Sequence, residues 1–216
     1  MYARLRIVGL AMIVAGLVFV GLGAYAYVKA QDGARSLQSF SAAQDVRLSY
    51  NDQGQLVDRG DPEEGAAIMK LLTDTWGYAV VRSELDPTDP VVNTASEYMY
   101  EMATIAYHTL NSTQTVTVAD HTDYNGMHYM PGEYDFAIAG RYWSQFDRQS
   151  PIEGKAREQA WTGTAQALIA ELGVGSVTAS TLQLGVGVAG IAAGMGATLT
   201  LVGLGLVWAV RRPSEG

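Results

Sequence analysis

Hydrophobic and polar positions follow two different patterns along this chain. Residues 7–28, IVGLAMIVAGLVFVGLGAYAYV, and residues 184–210, LGVGVAGIAAGMGATLTLVGLGLVWAV, are apolar with no charged side chain. At 1.5 Å rise per residue they make roughly 33 and 40 Å of helix, against a hydrocarbon core of about 30 Å. A surface helix of a soluble protein carries a polar face, and neither stretch has one. Both are predicted to be transmembrane helices, the second tilted or overhanging.

Between them the period shortens. Residues 43–50, AQDVRLSY, place Val46, Leu48 and Tyr50 on one face of a predicted strand, and NDQG at 51–54 reads as a turn. DPEEGAAIMKLL opens a helix with Asp61 as N-cap, Pro62 at the first helical position and Glu64 three residues after the cap. WGYAVV at 76–81 reads as a short strand, and LDPTDP at 85–90 as a turn. A second helix is predicted from Pro90 to about Leu110, burying Val91, Ala95, Tyr98, Met102, Ile105 and Ala106 at three- and four-residue steps.

TQTVTVAD at 113–120 and EYDFAIAG at 133–140 alternate as strands, and Pro131-Gly132 marks a turn. A third helix begins at the SPIE cap of Ser150 and runs to Gly173, with Ile152, Ala156, Ala160, Trp161, Leu168, Ile169 and Leu172 as its buried side. QDGARSLQSFS at 31–41 and GVGSVTAST at 173–181 read as linkers. The fold class is therefore an α+β extracytoplasmic domain carried between two transmembrane α-helices. Its boundaries are a cytoplasmic N-terminus 1–6, spans 7–28 and 182–210, a domain 29–181, and a cytoplasmic tail 211–216.

Charge sets the orientation. Arg4 and Arg6 precede the first span and Arg211 and Arg212 follow the second, so the positive-inside rule puts both termini in the cytoplasm of a plasma membrane. Tyr2 and Trp208 fall at the inner interface, Tyr25 and Tyr27 at the outer one. The competing view of residues 7–28 is a cleaved signal peptide ending at VKA. An apolar run of 22 residues exceeds the roughly 7–15 of a signal core, which favours a retained anchor.

Residues 30–181 hold 21 acidic and 9 basic side chains, a net charge of −12. Such a domain repels nucleic acid and anionic headgroups, and attracts cations or a basic partner. The chain has no cysteine, so packing alone holds the domain, without disulfides or thiolate chemistry.

Glycines shape the spans. Gly9, Gly16 and Gly23 recur every seven residues in the first. In the second, Gly190 and Gly194 form G-x-x-x-G, while Ala189, Gly196 and Gly203 are again seven apart. Small residues let helix backbones approach, so these faces are expected to pack on each other or on another membrane subunit, or to support self-association. GVGVAG at 185–190 matches a dinucleotide-binding pattern, but lies inside an apolar run with no acidic residue near 20 positions on. It is rejected.

The one concentration of ligating side chains is ADHTDYNGMHYM, residues 119–130. Asn125-Gly126 predicts a two-residue type I′ hairpin that pairs Tyr124 with Met127, Asp123 with His128, Thr122 with Tyr129 and His121 with Met130. Alternation then puts His121, Asp123, His128 and Met130 on one face. Two imidazoles, a carboxylate and a thioether suit copper, and without the thioether zinc. A hairpin also needs a polar side facing water, and that plainer reading is preferred here: no metal, cofactor or catalytic residue is assigned. Glu97 and Glu101, four apart, read as a solvated helix face. Asp86 and Asp89 read as turn and cap residues, Asn111 as a glycosylation sequon by pattern only, and His108 as a last-turn residue suited to the helix dipole.

The stretches LSYNDQGQLVDRGDPEEG, SELDPTDPVVNTASEYMYEMATI, GRYWSQFDR and AREQAWTG resemble an uncharacterised group of actinobacterial membrane proteins. That resemblance covers nearly the whole chain. It implies an inner N-terminus, one span, an outer domain, a closing glycine-rich span and envelope localisation, and no established activity. The function expected is a non-enzymatic accessory or structural subunit of a larger cell-envelope membrane complex, contacting lipid and other membrane subunits but no nucleic acid. The alternative is an extracytoplasmic ligand- or metal-binding, sensor-like module, and the third reading a membrane-tethered enzyme.

Overall fold

The computed structural model describes residues 2–210; Met1, both arginines Arg211 and Arg212, and the rest of the tail 211–216 lie outside the described residues. The chain divides into two compact units, Met1–Ala43 with Thr178–Gly216, and Gln44–Val177.

The first unit holds nearly all of α1 (Tyr2–Gln44) and, from Thr178 on, α5 (Gly163–Ala209), whose first 15 residues belong to the second unit; each helix is long and apolar enough to cross a membrane. Their apolar side chains are mostly exposed, as with Ile7, Val14, Leu184, Ile191 and Leu201. Both helices run on through the segments predicted as linkers, which corrects that expectation: residues 31–41 lie in α1 and residues 173–181 in α5. Packing overrides a composition poor in helix formers. A methyl group placed on Gly185 would lie 3.4 Å from the Ala30 Cβ, and one on Gly33 2.6 Å from a Leu182 methyl, so the helices stay paired beyond the first apolar run.

The heptad rows meet. A Cβ built on Gly9 would lie 2.8 Å from the Gly203 carbonyl oxygen, one on Gly16 2.5 Å from that of Gly196, and one on Gly23 2.8 Å from that of Ala189. Side-chain carbons do not approach backbone oxygens so closely. Hydrogen atoms at these positions are what bring the two backbones together.

In the second unit, residues 46–48 and 90–92 pair by only two hydrogen bonds, Leu48 N–H to the Pro90 carbonyl (2.8 Å) and Val92 N–H to that of Val46 (2.9 Å). Of residues 43–50, the first two end α1 and only Arg47 and Tyr50 form isolated bridges, in place of the predicted strand. Pro90 has no N–H to continue the ladder. The turn at 51–54 forms as expected, with Asn51 Oδ1 accepting from the Gln53 and Gln55 N–H groups at 3.0 and 2.9 Å.

Helix α2 (Pro62–Lys70) has the predicted cap and proline: Asp61 accepts from the Glu63 N–H at 2.7 Å, and Pro62 stands at the first helical position. It continues as a π-helical turn over Leu71–Thr75. That turn consumes the backbone of the next segment, because the Trp76 and Tyr78 N–H groups donate to the Leu71 and Leu72 carbonyls. WGYAVV is therefore not a strand.

Helix α3 (Ala95–Leu110) starts five residues later than predicted. The start signal is a capping box, Thr94 and Glu97, with Glu97 accepting from the Asn93 and Thr94 N–H groups at 3.0 and 2.9 Å. Glu97 is 2% exposed, so it is a buried cap and not the solvated face expected of it. Of the helix's predicted apolar side, Ala95, Tyr98 and Ala106 are buried, while Met102 and Ile105 are half-buried.

The strands form two two-stranded antiparallel sheets, consecutive along one ribbon. β1 (Thr113–Val118) pairs antiparallel with β4 (Gly132–Ala137), and β2 (Thr122–Tyr124) with β3 (Met127–Tyr129). Between the two ladders the outgoing strand has residues 119–121 and the returning strand only Met130 and Pro131. This three-against-two mismatch breaks the pairing. The ladder ends at Thr122 opposite Tyr129, so the expected pair of His121 with Met130 lies beyond it. Val116, Val118 and Ile138 pack with Phe146, Ile152 and Trp161 into the core of the unit.

Ser150 Oγ accepts from the Glu153 N–H at 3.1 Å, but α4 spans only Glu153–Ala160 with Ile152 at its N-cap, so the helix starts later than the SPIE pattern predicts. The predicted third helix then breaks. The Trp161 indole donates to the Arg141 carbonyl at 3.1 Å, and Thr162 Oγ1 accepts from the Ala165 N–H at 3.1 Å to start α5. Leu172 is buried as predicted, but Leu168 is 42% exposed. A small helical and β region thus lies in sequence between two long apolar helices.

Candidate functional site

The tip of the ribbon is set by Asn125 and Gly126, whose φ angles of 49° and 77° are those of a type I′ turn. Asp123 therefore sits opposite His128, and their side chains share a face. His128 Nδ1 lies 2.5 Å from Asp123 Oδ1, and His121 Nε2 lies 3.3 Å from the same oxygen. The two imidazoles stack with centroids 6.0 Å apart and planes 13° apart. One ligand atom from each of His121, Asp123 and His128 can be chosen so that all three lie within 4.8 Å of one another. All three side chains are more than half exposed.

Met130, the fourth member expected of this face, is exposed next to the ladder break, and its carbonyl accepts from the Tyr134 hydroxyl at 2.9 Å. His108 does not join the cluster. It points its Nε2 at Asp58 Oδ2, 2.9 Å away, in a partly buried pair. The opposite face of the hairpin, with Tyr124, Met127 and Tyr129, borders a groove of about 360 Å³. Tyr124 closes one side of it by donating to Asp147 at 2.6 Å, a bond that holds the Asp147 carboxyl below its ordinary range.

Other titratable groups have structural duties. Burial pushes Glu97 and Glu101 above the ordinary carboxylate range; hydrogen bonds from Asn93 and Thr94 oppose this at Glu97, and nearby Asp58 adds to it at Glu101. Burial likewise raises the Tyr50 phenol to about 12, with help from Glu97 and Asp86. Asp86 accepts from both the Thr88 N–H and hydroxyl, which lowers its pKa and accounts for it as a turn residue. Asn111 ends α3, its Nδ2 donating to the Tyr107 carbonyl at 2.8 Å. Residues 185–190 lie mid-helix in α5, without the strand and turn that a dinucleotide-binding loop requires.

A second feature concerns the glycines of α5. Gly196 and Gly203 are occupied by α1, whereas Gly190 and Gly194 have open space where a Cβ would stand. Gly187, unremarked in the sequence pattern, is also open and shares their face at positions i, i+3 and i+7. The row that recurs every seven residues is the occupied one, and the G-x-x-x-G pair is the open one. Comparison of the chain with protein-family models, curated proteins and solved structures finds no match.

Proposed function

We propose that this protein is a non-enzymatic accessory subunit of a larger cell-envelope membrane complex. Two spans anchor it in a plasma membrane with both termini cytoplasmic, and an acidic domain stands outside. The resemblance to actinobacterial membrane proteins supplies the envelope setting. Support for a lipid environment comes from the two apolar helices, whose large side chains are outward and exposed, where a soluble protein's core helix would bury them. Arg4 and Arg6 support the inward N-terminus.

The observation that carries the docking role is the open Gly187, Gly190 and Gly194 face of α5. Internal packing of the pair already has its own glycine row, so it does not account for this second one. In lipid, a stripe of glycines offers a partner helix close backbone approach and little side-chain entropy to lose. Solubilisation of the full chain in mild detergent, followed by native electrophoresis, tests the proposal. The wild type is expected in a complex larger than the monomer, and Gly194→Leu is expected to release it, while Gly21→Leu, open on α1, leaves it intact. A lone monomer at every detergent strength removes the proposal.

A further inference from the structure

We infer that the hairpin tip is a binding site for a divalent transition-metal ion of the copper and zinc class, held by His121, Asp123 and His128. Three observations converge on it. Two imidazole nitrogens point at one carboxylate oxygen, at 2.5 and 3.3 Å, so three good ligand atoms are gathered in one small volume. Bonds of about 2.0–2.2 Å to a metal put neighbouring ligand atoms about 3–4 Å apart. The present spread of 4.8 Å or less needs only small rotations of exposed rings to reach that range.

The turn supplies the second. Asn125 and Gly126 hold a tight two-residue loop, and Asp123 and His128 lie in the ladder on either side of it. The cross-strand pair is thus fixed by the backbone before any ion arrives. Only His121, beyond the end of the ladder, has to settle.

The third is chemistry. A polar hairpin face needs only hydrophilic side chains, and lysine, threonine or glutamate would serve. Here the face holds two of the chain's three histidines, on the same carboxylate oxygen. Imidazole nitrogen selects copper, zinc or nickel over calcium and magnesium, which prefer all-oxygen sites. The surrounding net charge of −12 favours cation approach, and the exposure of all three groups leaves water to complete the coordination sphere. Binding requires a nitrogen lone pair on each ring. At His128 the metal takes the place of the proton between Nδ1 and Asp123; that proton is released to water and the ring stays neutral by carrying its one proton on Nε2.

The test uses the full chain in detergent micelles at neutral pH, titrated with Cu²⁺ and with Zn²⁺. One high-affinity equivalent is expected, unaffected by a hundredfold excess of Ca²⁺ or Mg²⁺. His121→Ala and His128→Ala should each weaken it by at least tenfold, while Glu158→Gln, an exposed carboxylate on α4, leaves it unchanged. The paramagnetic resonance spectrum of the Cu²⁺ form should show coupling to two imidazole nitrogens, reduced to one in either variant. The three positions are exposed, so the variants should melt like the wild type in the absence of metal. The inference is overturned if the His121→Ala/His128→Ala double variant binds as tightly as the wild type, or if Ca²⁺ competes on equal terms, which would mark a general acidic surface.

Discussion

Glu97 shows how a single side chain can carry two sequence readings. Four residues before Glu101, it looks like part of a charged helix face; three after Thr94, it is the closing member of a capping box. The second wins because its carboxylate meets two backbone N–H groups that would otherwise be buried without partners. Thr94→Ala should cost about 1 kcal/mol of stability by removing the Oγ1 partner of this box, read from the midpoint of denaturant unfolding. Glu101 bears on pH instead. Burial and Asp58 raise its folded pKa above the ordinary value, with His108 pulling the other way. The folded state therefore holds this proton more tightly than the unfolded chain. Between the ordinary value and the raised one, stability falls as pH rises, and above the raised value the penalty is complete. Glu101→Gln should accordingly be at least as stable as wild type at pH 7.5, and should lose its advantage toward pH 4. A variant less stable at both pH values would contradict the burial assigned to this carboxylate.

Among the elements between the two long helices, turn and cap residues were legible where one local signal stood alone, and not where a second signal or a distant partner competed with it. Asn125-Gly126 gave the turn and three of the four pairs of the hairpin, because backbone sign alone decides them. The Asp61 start was legible for the same local reason. The strand predicted at 76–81 failed because the Trp76 and Tyr78 N–H groups are taken by a π-helical turn and that of Val81 by the Ser96 hydroxyl, which no alternation pattern reveals. The ribbon's break needed a count of residues on both strands, and so displaced His121 from its expected partner while leaving it within reach of Asp123. If the turn sets the site, then Gly126→Ala, at φ 77°, should disturb it without touching a ligand. A left-handed conformation costs a non-glycine residue about 1–2 kcal/mol. The expected outcome is loss of cross-strand contacts between Asp123 and His128 in nuclear Overhauser spectra, with the core signals of Ile138 and Val116 unchanged.

On the scale of the whole molecule, the apolar runs and the heptad glycines made two paired helices readable, but not their length. At 43 and 47 residues, α1 and α5 are about 65 and 70 Å long, roughly twice what a bilayer needs. Gly33 and Ser36 in one, and Gly173 through Thr181 in the other, look like linkers because helix propensity is local, whereas a long helix is held by its neighbour. That the pairing persists past the first apolar run is open to a direct chemical test. The chain contains no cysteine, so two can be introduced without competition. A methyl on Gly185 would stand 3.4 Å from the Ala30 Cβ, close to the 3.5–4.5 Å spacing typical of disulfides. Ala30→Cys with Gly185→Cys should therefore oxidise within one chain, giving a faster-migrating monomer on non-reducing gels that reverts with reductant. Ala30→Cys with Gly187→Cys, whose second site opens onto free space, should not. A cross-linked dimer from the first pair would mean that the glycine rows join two copies of the chain, and the open face of α5 would then lose its claim as the docking surface.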